Sequence, residues 1–285
     1  MASKNKIYNI GIDVGGTKMT SVLTEGGKPI TDFTLATPKD NLEHFIIMLK
    51  ALVDPLLEMA KSDKAKIGTM GIGIPGVMDG TKERILKCPN LSILDGVYLP
   101  KILKENFGLL SVMDNDANCF IRAEATLGAG KKYKNVYGIT IGTGIGGGWW
   151  INDDIYNGSH GGGAEPGHMV VDYKKPLDLE DAYHNLTSSS PAEVARRAYM
   201  GDVPAQRIFE ELGALFGASL ASIVNIIDPE IIIIGGGVVE SSDLFLNAAQ
   251  KTMKELIISP AAKNTKIVKA KLGQLAGAIG ASLLK

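Results

Sequence analysis

The chain has 285 residues, more than one small core requires, so two domains are the first expectation. Apolar residues make up 45% and charged residues 21%, an ordinary soluble balance, and a formal net charge of -1 argues against a polyanion such as nucleic acid as partner. The two cysteines, Cys88 and Cys119, provide no disulfide framework and suit a reducing cytoplasm; the N-terminus lacks an apolar leader core, and no apolar run approaches membrane-spanning length.

Residues 7–14 read as a strand that ends in Asp13-Val14-Gly15-Gly16-Thr17-Lys18, and 19–23 resume a strand. The bend between them carries two glycines, a hydroxyl and a cation. Backbone N–H groups in such a bend can face a phosphate, because no Cβ blocks the approach. An ordinary glycine hairpin is the alternative, and Walker A spacing is absent. Asp13 favours the phosphate reading, since a carboxylate ending a buried strand is costly without a partner such as hydrated Mg²⁺. Residues 41–59 have helical apolar spacing, with Pro55 predicted to kink or end the helix. A strand over 67–74 leads into the turn Gly73-Ile74-Pro75-Gly76. Asn90, in an irregular stretch before a helix over 99–107, is either a turn amide or a contact to a small polar ligand.

The short apolar run 109–113 reads as a buried strand, followed at once by Asp114, Asn115 and Asp116 and then a helix over 117–127. Two carboxylates and an amide thus stand at the carboxyl end of a strand, where open α/β sheets place ligands. A polar turn with a capping Asp is the alternative. In 137–150, Gly142-Thr143-Gly144-Ile145-Gly146-Gly147 formally fits the dinucleotide fingerprint. That motif needs a helix after it. Here Trp149-Trp150-Ile151 and then Asn152-Asp153-Asp154 follow, so the reading is strand, turn, strand. This second glycine hairpin resembles the first and suggests an internal duplication with one hairpin on each wall of a nucleotide cleft.

The glycine-rich loop over 158–169 holds Glu165 and His168, a pair that suits either a polar-ligand site or an ordinary surface. Residues 172–181 look charged and irregular. A long helix is predicted over 204–227 and a fully apolar strand over 231–234. Gly235-Gly236-Gly237 then forms either a tight strand-to-helix turn or a close approach to adenine or ribose. The small-residue tail 274–284 reads as a helix that packs back on the first domain.

Taken together and in this order, the motifs beginning at Asp13, Gly73, Asn115, Gly142, Glu165 and Gly235 resemble the ROK family of sugar kinases and repressors in the actin-like ATPase superfamily. The resemblance runs from Asp13 to Gly280. It implies an α/β fold of two actin-like ATPase (ribonuclease H-like) domains with a cleft between them. The expected division is residues 1–116 and 117–273, with 274–285 packing back on the first. It implies ATP-dependent transfer of the γ-phosphate to a hexose hydroxyl, usually on C6, with glucose the default acceptor. N-acetylmannosamine or another hexose is an alternative, as is a sugar-binding regulator that has lost catalysis. By this resemblance Asp116 is the general base, and Gly76, Asn90, Asn115, Asp116, Glu165, His168 and Glu180 contact the sugar. Asp13, Gly15, Gly16, Thr17, Lys18, Gly142, Thr143, Gly144, Gly235, Gly236 and Gly237 would hold ATP, with Asp13 near Mg²⁺ through water.

The resemblance also implies a cytoplasmic homodimer without nucleic-acid or membrane partners. Repressor members carry an added N-terminal helix-turn-helix domain, which disfavours that branch here. One departure concerns a metal. The family usually follows its His with three cysteines that complete a structural zinc site. Residues 169–180 contain no Cys, so no zinc is expected.

Overall fold

The computed structural model describes residues 6–188 and 190–285 and has two five-stranded sheets of the same construction. The first half comprises β1 (Ile7–Val14), β2 (Lys18–Glu25), β3 (Lys28–Ala36), α1 (Leu42–Ser62), β4 (Lys66–Ile74), β5 (Val77–Met78), β6 (Ile85–Lys87), α2 (Leu99–Phe107) and β7 (Ser111–Asn115). The second comprises α3 (Asp116–Thr126), β8 (Asn135–Ile141), β9 (Ile145–Ile151), β10 (Asp154–Ile155), β11 (Val170–Asp172), β12 (Leu177–Asp178) and α4 (Leu179–Thr187). It continues with α5 (Pro191–Tyr199), α6 (Val203–Ile227), β13 (Ile231–Gly235), α7 (Leu246–Leu256), β14 (Lys266–Lys269) and α8 (Ala276–Ser282). The strand orders are β3-β2-β1-β4-β7 and β10-β9-β8-β13-β14. In both, three antiparallel strands lead into two parallel ones. The repeat suspected from the two hairpins is therefore a repeat of whole sheets.

Apolar periodicity explains the outer layers. α1 buries Phe45, Leu49, Leu52, Val53 and Leu56 against the first sheet, while α6 buries Phe209, Leu212, Phe216 and Leu220 beside the second. α6 is long and apolar enough to cross a bilayer, but half of its apolar window is buried within the protein. α1 continues through Pro55 to Ser62 instead of ending there. Pro55 removes a hydrogen bond to the Ala51 carbonyl, and both residues are exposed, so water can take the place of the lost donor.

α3 and α8 form the layer between the sheets, α8 against β1, β2 and β4 and α3 against β8 and β9. Their approach depends on small residues. A Cβ on Gly11 would stand 1.9 Å from the Ala278 carbonyl oxygen, and one on Gly71 1.8 Å from that of Ala281. Glu124, fully buried on α3, accepts the backbone N–H of Ala129 at 2.8 Å, Lys271 at 2.8 Å and Leu272 at 2.7 Å. One carboxylate thereby ties α3 to the segment entering α8.

The stretch 172–181, expected to be irregular, forms a short hairpin of β11 and β12 and the first turn of α4. Strands of three and two residues are too short to show a period. Asp178 is the cap that starts α4, its side chain accepting the Asp181 N–H at 2.8 Å.

Candidate active site

Asp13, near the end of β1, and Asp116, the first residue of α3, line one cavity of about 440 Å³. Lys18, Thr140, Gln274, Gly277 and Gly235 to Gly237 share its wall. Burial pushes the Asp13 carboxyl up to about 7; the negative charge of Asp116 adds to this and Lys18 opposes it. Burial also pushes Asp116 up to about 6, against a hydrogen bond from the Ala117 N–H at 2.9 Å. Two carboxylates that resist ionising in one pocket suit a site that receives a cation or a proton.

The local sequence fixes Asp116. Asn115 caps α3, its Oδ1 accepting the N–H of Ala117 at 2.9 Å and Asn118 at 3.2 Å. The cap is therefore Asn115, leaving Asp116 to face the cavity. The Asn115 amide also donates to the Gly76 carbonyl at 3.3 Å, which joins two residues expected at the sugar site. Gly76 is itself hemmed in, since a Cβ there would meet the Lys87 oxygen at 2.4 Å. Asp114, the other carboxylate of the motif, is 1% exposed and paired with Lys82 at 2.8 Å, outside this cavity.

Both glycine bends close on themselves. The Gly15 N–H donates to the Lys18 carbonyl at 2.9 Å, and the Gly142 N–H to that of Gly144 at 2.9 Å. The Thr37 hydroxyl donates to Gly15 O at 2.7 Å, and Lys18 Nζ reaches Gln274 at 2.9 Å. Gly16 packs beside Asn90, whose Cβ lies 3.3 Å from where a Gly16 Cβ would stand. Space above Gly142 is open, which leaves room for a ligand over the second bend. Thr17 is exposed at the tip of the first bend. Gly236 has φ +86°, and a Cβ there would stand 2.3 Å from the Ile141 carbonyl oxygen, so the end of β13 meets the end of β8 only because this residue is glycine.

Beyond Gly237 lies a larger, mostly apolar cavity of about 850 Å³. Thr143, His184, Ala195, Phe209 and Val238 line it, and Gly237 and Glu240 border both cavities. The polar floor thus continues into an apolar chamber of a size suited to a small organic group. Sequence reasoning missed His184, Pro191, Ala195, Phe209 and Val238 as lining residues. Pro191 at the first turn of α5 was an available helix signal, but no motif marks the chamber itself.

Glu165 precedes, and His168 closes, a short 3-10 turn over Pro166–His168. Burial raises the Glu165 pKa, which His168 lowers and Asp116 and Glu180 raise, so these four side chains share one electrostatic neighbourhood. Glu180 lies in the first turn of α4 and accepts the Ile145 N–H beside the second bend. A Cβ on Gly144 would stand 2.7 Å from its Oε2. His168 is exposed, and its Nδ1 lies 3.2 Å from Asp178 Oδ2.

The Asp13 carboxyl, raised first by burial and then by the charge of Asp116, fits a hydrated Mg²⁺, because a cation nearby would offset the like charges. For zinc, the described residues contain no group of three or more His, Cys, Asp or Glu side chains able to hold a metal, and His168 faces a carboxylate.

The chain is similar over almost its whole length to proteins of known family. The family profile described as ROK family matches residues 9–181 and 178–285. A glucokinase of Thermotoga maritima is 27% identical over 310 residues, covering 97% of this chain and 96% of its own. An N-acetyl-D-glucosamine kinase of Mannheimia succiniciproducens is 30% identical over 305 residues, covering 96% and 98%. The crystal structure of a ROK family glucokinase from Streptomyces griseus, in complex with glucose and AMPPNP, superposes with a TM-score of 0.80 at 28% identity, over 96% of this chain and 98% of that one.

Proposed function

The chain belongs to the ROK family and is an ATP-dependent sugar kinase, and we propose that it phosphorylates a hexose, with glucose the first acceptor to test and Asp116 the general base. The observation that carries the assignment is Asp116 itself. It stands at the start of α3 in the same cavity as Asp13 and the glycine segment 235–237, with its pKa raised to about 6 by burial. A base poised just below neutral pH is ionised in use and still able to accept a proton.

Phosphoryl transfer asks for positioning, charge stabilisation and a base at the attacking hydroxyl. In this reading Asp116 takes the hydroxyl proton as the new O–P bond forms and the bond to the departing ADP breaks. Asn115, Glu165, His168 and Glu180 hold the sugar, with Gly76 and Asn90 at its edge. Lys18, Gly15, Gly16 and Thr17 face the phosphates from one wall, and Gly142, Thr143 and Gly144 from the other. Gly235, Gly236 and Gly237 lie along the adenosine, whose base fits the apolar chamber. Mg²⁺ near Asp13 would supply neutralisation of the phosphate charge. With residues 1–116 and 117–273 as two domains, and 274–285 returned to the first, closure would exclude water as a competing acceptor.

The test is ADP release measured across a panel of hexoses, including glucose, N-acetylglucosamine and N-acetylmannosamine. Turnover with glucose at the highest kcat/KM supports the assignment. Preference for an N-acetylated sugar moves the acceptor, and absence of turnover with every sugar overturns the kinase mechanism.

A further inference from the structure

Asp178 is not among the sugar contacts, yet it holds two things at once. Its Oδ1 accepts the Asp181 N–H at 2.8 Å and so caps α4, the helix that carries Glu180. Its Oδ2 lies 3.2 Å from His168 Nδ1. The backbone reinforces the arrangement: Val170 pairs with Asp178 across β11 and β12, and the Leu179 N–H donates to the Met169 carbonyl at 2.9 Å. Two residues further on, Glu180 accepts the Ile145 N–H next to the second glycine bend.

We propose that Asp178 is a positioning residue for sugar phosphorylation, a carboxylate clamp that holds His168 and the start of α4 in one geometry where metal-binding cysteines are missing. This rests on the reading of His168 as a sugar contact. An ionised carboxylate only accepts hydrogen bonds, so the imidazole must carry its proton on Nδ1 when it meets Asp178. The proton assignment leaves Nε2 free to accept from a sugar hydroxyl when the ring is neutral, and to donate when it is charged. The clamp therefore fixes both the direction of the ring and the hydrogen-bonding character of its outer edge, as a partner behind a metal-bound histidine does. The same side chain sets where Glu180 emerges from α4, so the sugar wall and the second bend share a single anchor.

The pair contributes little to stability, because the His168 side chain is 75% exposed and such ion pairs are weakened by solvent. Its effect lies in orientation and protonation. The charged groups facing the imidazole are Asp178 from β12, Glu165 from the turn and Glu180 from α4. Together they hold its pKa above the ordinary value, the hydrogen bond to Asp178 being the largest cause.

The experiment uses the full chain and the Asp178→Asn variant. Asn caps a helix about as well as Asp, so α4 is retained while the charge on His168 is lost. The imidazole C–H resonances of His168, followed by NMR against pH, should report a lower pKa in the variant. The KM for sugar should rise about threefold to tenfold, the range for losing one partly exposed, charge-assisted hydrogen bond, with kcat and the KM for ATP little changed. In a His168→Ala background, adding Asp178→Asn should leave the sugar KM where His168→Ala alone puts it. An unmoved His168 pKa overturns the clamp. An equal rise of sugar KM in the His168→Ala background overturns it too, and assigns Asp178 to α4 alone. A lowered His168 pKa with no effect of His168→Ala on sugar KM instead overturns the sugar reading, and the positioning role with it.

Discussion

The floor of the cleft and the wall beside it are built differently. On the floor, Asp13 and Asp116 sit at the end of a central strand and the start of an interior helix, with Glu124 fixing α3 through three backbone N–H groups. On the wall, Glu165 and His168 come from a glycine-rich loop whose Pro166 and Gly167 are buried against β9, with His168 itself exposed and paired to Asp178. On the floor burial sets the chemistry, whereas on the wall burial raises the pKa of Glu165 and the pair with Asp178 raises that of the exposed His168. On the proposed function, the reaction belongs to the floor and acceptor choice to the wall, so the strand and helix ends could stay fixed while the loop changed the sugar accepted.

Substitution on the floor is the strongest way to break this separation. Asp116→Asn is expected to lower kcat by about 10²-fold or more, within the usual general-base contribution, while sugar affinity survives. Steady-state ADP release beside a sugar-binding titration would show it. A near-normal kcat would remove Asp116 from the reaction.

Wall substitutions should have smaller effects of a different kind. Glu165→Gln and His168→Ala are each expected to raise the sugar KM by about tenfold or more, for roughly 1.5–3 kcal/mol per hydrogen bond to a charged group, and to leave the KM for ATP nearly unchanged. If ATP affinity falls instead, the loop belongs to the nucleotide side and the contrast fails.

A third prediction concerns stability. Asp13 has a folded pKa of about 7, raised by burial and then by Asp116 from 3.8. A carboxylate raised in this way binds its proton more tightly when folded. Its ionised form therefore destabilises the fold, and stability falls as pH rises from about 4 to about 7. Asp13→Asn should raise Tm at pH 8 by a few degrees, at about 2–4 °C per kcal/mol, and the gain should vanish near pH 4. Thermal melts of metal-free protein at both values check this, and an equal shift at both would mean that Asp13 ionisation does not carry the effect.

The smallest signal is protection on binding nucleotide. With ATP bound, amide exchange should slow at both glycine bends, around Thr17 and around Thr143, although the gain at either is modest. Protection confined to one bend would contradict a cleft with nucleotide contacts on both walls.

The floor was far easier to read from the sequence than the wall. Asp13 and Asp116 each follow an apolar run, and two similar glycine bends pointed to the repeated sheet. The motif could not show which carboxylate faces the cavity, because that depends on Asn115 taking the cap and on Lys82 pairing with Asp114. On the wall, residues 172–181 looked irregular although Asp178 followed by Glu180 and Asp181 carries a helix-start pattern. The strands β11 and β12 were too short to reveal themselves. The apolar chamber was hidden because its lining comes from α4, α5, α6 and the segment after β13, which meet only in three dimensions.

The most direct test of the separation is a crystal structure of the chain with glucose and a non-hydrolysable ATP analogue. The C6 hydroxyl should lie within hydrogen-bond reach of the Asp116 carboxylate, about 2.6–3.2 Å, with Glu165 and His168 on other hydroxyls of the ring. A reacting hydroxyl directed at the Glu165–His168 wall, with Asp116 turned away from the sugar, would contradict it.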